Sequence, residues 1–430
     1  MTRTFLRMTI ALSVAAAGCG PPANPRQTQI RYMAWGNPQQ LGVEQQLCDV
    51  FNRENSDLHV TLLRVPSSAY RSKAVVMLAT GTAPDVLRID HYDFPSLQEK
   101  AYFTDLTPYT ASDPGFHASD FWPQTIEEGT VGGRLYGLNV LFGGILVYYS
   151  RTLVERAGLE DPYAVYKRGA WTWDEFRRYA KAMSRPASGD EPETFGALIP
   201  TSVSMLAPII WGYGGDLLTP NHKRCVMDQP PAVAALQFLA DLRNVDHAAP
   251  TVSESANSAY PFEGGKIGMT FDFMGMAPRF RNVVKDFKWD VVPIPRGPAG
   301  GASLVKGNQM VMAACSRHPR AAWRFIRFMT SVKAEDLLYV DLRRCFPTRI
   351  AVAESKAYLQ TDAPPFHMQA FIDAVKTGRP LPIDDRWPEW TNAVQAHLDE
   401  LFAGRSPNAA REMAAAALDA NKVLAQEPGW

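Results

Sequence analysis

Carboxylates, imidazoles and thiols carry most covalent chemistry in proteins, and in this chain they are scattered rather than grouped. There is no Gly-x-Ser-x-Gly elbow, no His-Glu-x-x-His helix and no Gly-x4-Gly-Lys-[Ser/Thr] phosphate loop. The eight histidines have no metal-ligand spacing and the five cysteines form no Cys-x-x-Cys pair, so neither a metal nor a cofactor is expected. An exported glycoside hydrolase would need two carboxyls flanking one bond. Nothing singles out such a pair, and the chain is not expected to be an enzyme. Flat rings beside bidentate polar groups offer a different chemistry, as at Trp35 and in the run Asp90-His91-Tyr92. A ring covers the apolar C–H face of a sugar while carboxylates, imidazoles and amides bond its hydroxyl edges. That is non-covalent capture of a small polar solute, with a carbohydrate the best chemical match.

The elements that must position these residues read as an α/β sheet. Ile30 to Trp35 alternates like a strand, Gln39 to Asn55 has helical spacing, and His59 to Val65 is a second strand. A further helix runs from Tyr70 to Thr80, stopped by Gly81, and Pro84 to Asp90 enters a third strand. Such sheets bind ligands beyond the carboxyl ends of their strands, which is where Trp35 and Asp90 fall. At 430 residues the chain exceeds what one core usually supports, so two lobes and a cleft are expected. Lys+Arg and Asp+Glu balance at 44 each. No net field therefore draws it to nucleic acid, and a neutral or locally neutralised ligand fits. Ten tryptophans within an aromatic content of 11% leave rings for a binding surface after the core is filled.

The amino terminus has its own logic. Arg3 and Arg7 precede the apolar run Met8 to Ala17, which ends in Ala16-Ala17-Gly18-Cys19. This run is too short to cross about 30 Å of hydrocarbon and reads as an export signal. It resembles a bacterial lipobox, with Ala16 where a larger aliphatic residue is usual. That implies cleavage before Cys19 and lipidation of it; a plain secretory signal is the alternative. Residues 1–18 are then signal, and the proline-rich 19–29 a tether. Cys48, Cys225, Cys315 and Cys345 either form disulfides in one of three pairings or remain thiols.

Five ordered motifs extend the reading. Ala79-Thr80-Gly81-Thr82-Ala83-Pro84-Asp85-Val86 resembles the ASGTAPDV segment of the family 1 extracellular solute-binding proteins. Gly133-Arg134-Leu135-Tyr136-Gly137-Leu138-Asn139 is similar to that family's GKLYGLP, with Asn139 replacing proline. Tyr148-Tyr149-Ser150 with Ala157-Gly158-Leu159 resembles YYNKDLFEKAGL, and Thr172-Trp173-Asp174-Glu175-Phe176 resembles TWDEF. Phe262-Glu263-Gly264-Gly265-Lys266-Ile267-Gly268-Met269 is similar to FxxGKAAM. The resemblance spans nearly the whole mature chain. It implies a type II clamp of two α/β lobes joined by three hinge crossings, serving as the binding component of an ABC importer. Lobe one is placed at 27–140 plus 303–331 and lobe two at 141–302 plus 332–430. The crossings fall near 141–144, 300–302 and 332–334, where Gly143-Gly144 and Gly300-Gly301 suit either hinges or turns.

The same resemblance marks where to look for ligand contacts. Trp35 is expected in the cleft or in the core, and Asp90, His91 and Tyr92 beyond their strand. Trp211, ahead of a glycine-rich segment, either stacks on the ligand or packs a turn. Asp272 and Phe273 lie where relatives carry an aromatic cleft motif, and Asn308 sits at a strand mouth. Arg349 either clamps an anionic group or makes a structural salt bridge. Trp173 is assigned to the core beneath a capping box of Thr172 and Glu175, Trp171 is less constrained, and Trp387 with Trp390 faces cleft or solvent. The expected partners are a mono- or oligosaccharide, ABC permease subunits and, through lipid on Cys19, a membrane. The protein is expected to be monomeric and extracytoplasmic. A sensor that presents its closed form to a membrane receptor would share all these features.

Overall fold

A computed structural model of the chain describes residues 27–189, 193–256, 261–341, 345–384 and 386–426. The signal segment, Cys19 and most of the tether lie outside the described residues. Strand β1 begins at Thr28, inside the stretch assigned to the tether, because Thr28 and Gln29 continue its ladder with the second strand.

Among the described residues there are ten strands, one of them unusually long. Five of them, β1 (Thr28–Trp35), β2 (Leu58–Val65), β3 (Val86–Asp90), β6 (Gly137–Ser150) and β10 (Val305–Met312), build the first part of the main sheet, in the order β2-β1-β3-β10-β6. β1 runs parallel to β2 and β3, whereas β10 runs antiparallel to β3 and β6. On the far side of β6 lie β7 (Phe195–Leu198), β8 (Ile267–Phe273) and β9 (Trp289–Val292), with β8 and β9 both antiparallel to β6. The short pair β4 (Thr130–Val131) and β5 (Arg134–Leu135) stands apart as a hairpin.

The first half of β6 pairs with β10 as far as Gly144, and its second half pairs with β8 and β9 from Ile145 onward. This strand therefore belongs to both lobes of the clamp. Ser303 pins the changeover: its hydroxyl donates to Ile145 O at 2.8 Å while accepting from Ile145 N at 2.9 Å. A Cβ on Gly144 would come within 2.8 Å of that hydroxyl, so the approach requires glycine. Leu141, just before it, has a left-handed φ of 53° beside a register shift between Lys306 and Asn308. Gly143 and Gly144 themselves lie within the strand, whereas Gly297 and Gly300 close a turn with reciprocal hydrogen bonds of 2.6 and 3.0 Å.

Both faces of the first sheet are covered, as a parallel sheet requires. Tyr32 and Ala34 pack on one face and Met33 on the other. The helices Pro38–Glu54 and Ser67–Ala79 match the expected ones to within three residues. In the second lobe Thr172 caps the helix Trp173–Met183 by accepting from Glu175 N at 3.2 Å, with the Trp173 ring buried beneath. Glu175 does not complete the capping box in return but pairs with Arg178. Trp171 is fully buried and donates to Pro293 O at 3.0 Å. Trp387 and Trp390 are both buried, so neither faces solvent. The four cysteines after residue 26 are free thiols, Cys48 and Cys225 buried and Cys315 exposed. Among the described residues no helix is long and apolar enough to cross a membrane, and no group of three or more potential metal ligands assembles.

Candidate functional site

A cavity of about 850 Å³ lies between the two halves of the fold. One wall comes from His91 and Phe94 after β3, from the helix Pro123–Glu127 with Glu128, and from the tip of the β4–β5 hairpin. The opposite wall is Asp216, Leu218, Thr219 and His222, and a strap from Gly378 to Ile383 closes one side. The strap is fixed from several directions. Arg379 N donates to Ser303 O at 2.9 Å and its carbonyl accepts from Val305 N at 3.0 Å, while Gln124 Nε2 from the first wall reaches Val375 O and Gly378 O at 3.1 and 3.3 Å.

Of the nine residues proposed from sequence, His91 lines this cavity directly. Its ring is buried without a hydrogen-bond partner, and burial, reinforced by the Lys306 charge, holds it well below the usual histidine range. It is therefore neutral at physiological pH. Tyr92, next in sequence, reaches the other lobe: its ring is 6.0 Å from Trp387 and its hydroxyl meets the side chain of Ser204. Asp90 accepts from Tyr92 N at 3.1 Å and from Asn308 Nδ2 at 3.3 Å, which ties β3 to β10. Phe273, at the end of β8, faces Tyr92 with the Lys306 ammonium between their rings, and Asp272 beside it accepts from Phe273 N at 2.8 Å. Burial pushes the Asp272 carboxyl up to about 6.

Three of the proposed residues are placed differently. Trp35 lines a separate cavity of about 150 Å³ with Tyr70, Arg71, Asp90 and Asp93. Its ring is already covered by Tyr70 at 4.6 Å and by the Arg88 guanidinium at 4.2 Å. Arg88 must sit there because it forms a buried ion pair with Glu44. Trp211 is buried under Arg379, whose guanidinium lies 4.6 Å above the ring, and Asp216 joins the two by accepting from Trp211 Nε1 and Arg379 Nη2, each at 2.9 Å. Arg349 is structural and outside the cleft. It donates to Thr330 O at 2.7 Å and Asp120 Oδ2 at 2.9 Å, and its backbone N–H donates to buried Glu335.

Sequence reasoning missed Lys306, Glu128 and Arg379. Lys306 had a local signal, a lone cation near the start of a strand whose end, Met310 to Met312, is apolar. Glu128 and Arg379 had none, because their importance comes from partners distant in sequence. Asn139 Nδ2 donates to Glu128 Oε2 at 2.7 Å, and the Gly307 N–H adds a second bond. Burial nonetheless pushes the Glu128 carboxyl up to about 8, so it carries its proton at neutral pH. The cavity lining thus includes a neutral imidazole, His91, and a protonated carboxyl, Glu128, with Lys306 and Asp90 within electrostatic reach of them. At the opposite wall Arg379 is paired with Asp216, and hydrogen-bonding groups of both kinds line the cavity. Such a lining suits an uncharged solute rich in hydroxyls.

Comparisons with known proteins agree with this geometry. Residues 36–336 match the family described as bacterial extracellular solute-binding protein. A putative binding protein of Brucella abortus is 23% identical over 95% of both chains, and the arabinooligosaccharide-binding protein of Bacillus subtilis is 22% identical over 76% of each. An ABC substrate-binding protein of Listeria monocytogenes, solved in complex with cycloalternan, superposes with a TM-score of 0.80 at 21% identity. That likeness covers 93% of this chain and all of the other, and it shows the shared fold.

The protonated Glu128 has a measurable consequence. A carboxyl whose folded value lies above its unfolded one keeps a proton that the unfolded chain releases, so it makes stability fall as pH rises between about 4.3 and the folded value. Glu128→Gln keeps the shape without the titration. The melting temperature of the variant should therefore gain on wild type between pH 5 and pH 8; an unchanged difference across that range would show that Glu128 is ionised in the folded protein.

Proposed function

The chain belongs to the bacterial extracellular solute-binding proteins, and on that premise we propose that it is the carbohydrate-capturing component of an ABC importer. The observation that carries the reading is the cavity of about 850 Å³ between the lobes, walled by side chains of both and lined by hydrogen-bonding groups. Tyr92, next to the cavity-lining His91, stands 6.0 Å from the Trp387 ring, and such rings supply faces for sugar C–H groups. The lobes are taken as 27–140 with 303–331 and 141–302 with 332–430, opening about the crossings near 141–144, 300–302 and 332–334. Ligand contacts from both sides stabilise the closed form, which the permease subunits read. The reading involves no catalysis. The arabinooligosaccharide and cycloalternan ligands of the relatives favour an oligosaccharide over a single sugar. The lipobox-like segment at Cys19 supports a lipid anchor outside the cytoplasm.

The test is a thermal-shift screen against malto-, arabino- and cyclic oligosaccharides, monosaccharides, polyols and sugar phosphates, with product analysis of every sample. A ligand at a hundred times its dissociation constant should stabilise the protein by about 2.7 kcal/mol and be recovered unchanged. Turnover would overturn the non-catalytic reading, and a response confined to non-carbohydrates would overturn the solute class. For the anchor, expression of a Cys19→Ala variant in a bacterium should move the protein from the membrane fraction to the soluble exported fraction. Equal membrane retention of both forms would rule out lipidation there.

A further inference from the structure

Lys306 projects from β10 opposite Gly143, close to the point where β6 changes partners. Its ammonium is 4.7 Å from the centre of the Tyr92 ring and 4.6 Å from that of Phe273. Tyr92 follows β3 and Phe273 ends β8, so the two rings belong to opposite lobes. No hydrogen bond or ion pair reaches the ammonium among the described residues. Asp90 and Glu128 act on it only through space, and burial holds it below the usual lysine range. A cation withdrawn from water needs compensation, and the negative faces of two rings supply it. Those same faces are the ones on which a sugar would stack.

We propose that Lys306 is the built-in occupant of this aromatic pair: it bridges Tyr92 and Phe273, holds the lobes together without ligand, and must be displaced when a solute binds. Selectivity follows from the same contact. A neutral, hydroxyl-rich solute can push the ammonium toward Asp90 and Glu128. A solute bringing its own cation to that spot meets like charge in a poorly solvated site and is refused. The inference rests on the clamp reading above.

The experiment is small-angle X-ray scattering of the ligand-free chain from residue 20 onward, as wild type, Lys306→Ala, Lys306→Arg and Phe273→Leu. Two cation–π contacts, even at the strength of exposed ones, bias the closed form by about tenfold or more. Lys306→Ala and Phe273→Leu should each expand the particle, Lys306→Arg should retain the wild-type curve, and the double variant Lys306→Ala/Phe273→Leu should expand it no further. Phe273→Leu keeps apolar volume and tests the contact from its other end should Lys306→Ala fold poorly. Identical curves for wild type and both single variants, a wild type already open, or additive effects in the double variant would each overturn the proposal. The scattering uses no ligand, so its outcome is independent of the ligand screen.

Discussion

The fourteen residues of Gly137–Ser150 give up one set of hydrogen-bonded neighbours and take another halfway along, without a break in the strand. A strand has two edges, and here both are shared out along its length. β10 holds the first half, and β8 with β9 hold the second. The two parts of the sheet therefore stay joined through this one strand. Ser303 fixes where the changeover falls by bonding both backbone groups of Ile145, and Gly144 admits that contact because it has no side chain. Leu141, in its left-handed conformation, supplies the local bend. Asn139, Lys306 and Asn308 lie on the two strands that meet before this changeover, and Asn139 in turn holds Glu128.

Electrostatics follow from that placement. Polar side chains at the meeting of two lobes are withdrawn from water, and withdrawal favours their neutral forms. His91 loses its proton and Glu128 keeps one, so two titratable groups at the floor become a neutral acceptor–donor set. Lys306 stays beside the Asp90 carboxylate and leans on rings from both sides. Arg379, in the strap and exposed, is stacked on Trp211 and paired with Asp216. Lys306 and Arg379 thus each have a fixed local answer in rings and carboxyl groups.

Much of the frame could be read from the chain because it is written in local rules. The alternation of Ile30 to Trp35, the helical spacing after it and the Thr172 cap each depend on neighbours a few residues away, and each element appears close to its expected place. The family motifs carried the fold itself. The site was legible only in part. Asp90, His91, Tyr92 and Phe273 follow strand ends, and strand ends are predictable. Trp35 was drawn toward the ligand by the same rule, but Arg88, paired with Glu44 from a helix far along the chain, covers its ring. Arg349 was ambiguous in sequence because the groups that satisfy it, Asp120, Thr330 and Glu335, converge only on folding. Glu128 and Arg379 were invisible for the same reason, since long-range partners give them their roles.

The central claim is that a solute is enclosed between the two lobes at the floor formed around β6 and β10. A crystal structure of the protein grown with its solute tests this most directly. The account predicts density for the solute in contact with His91 and Glu128 on one side and with the Asp216–His222 wall or the Gly378–Ile383 strap on the other, the Lys306 ammonium having moved from between the Tyr92 and Phe273 rings. A solute bound to one lobe alone, or in the small cavity beside Trp35 with the cleft empty, would contradict it.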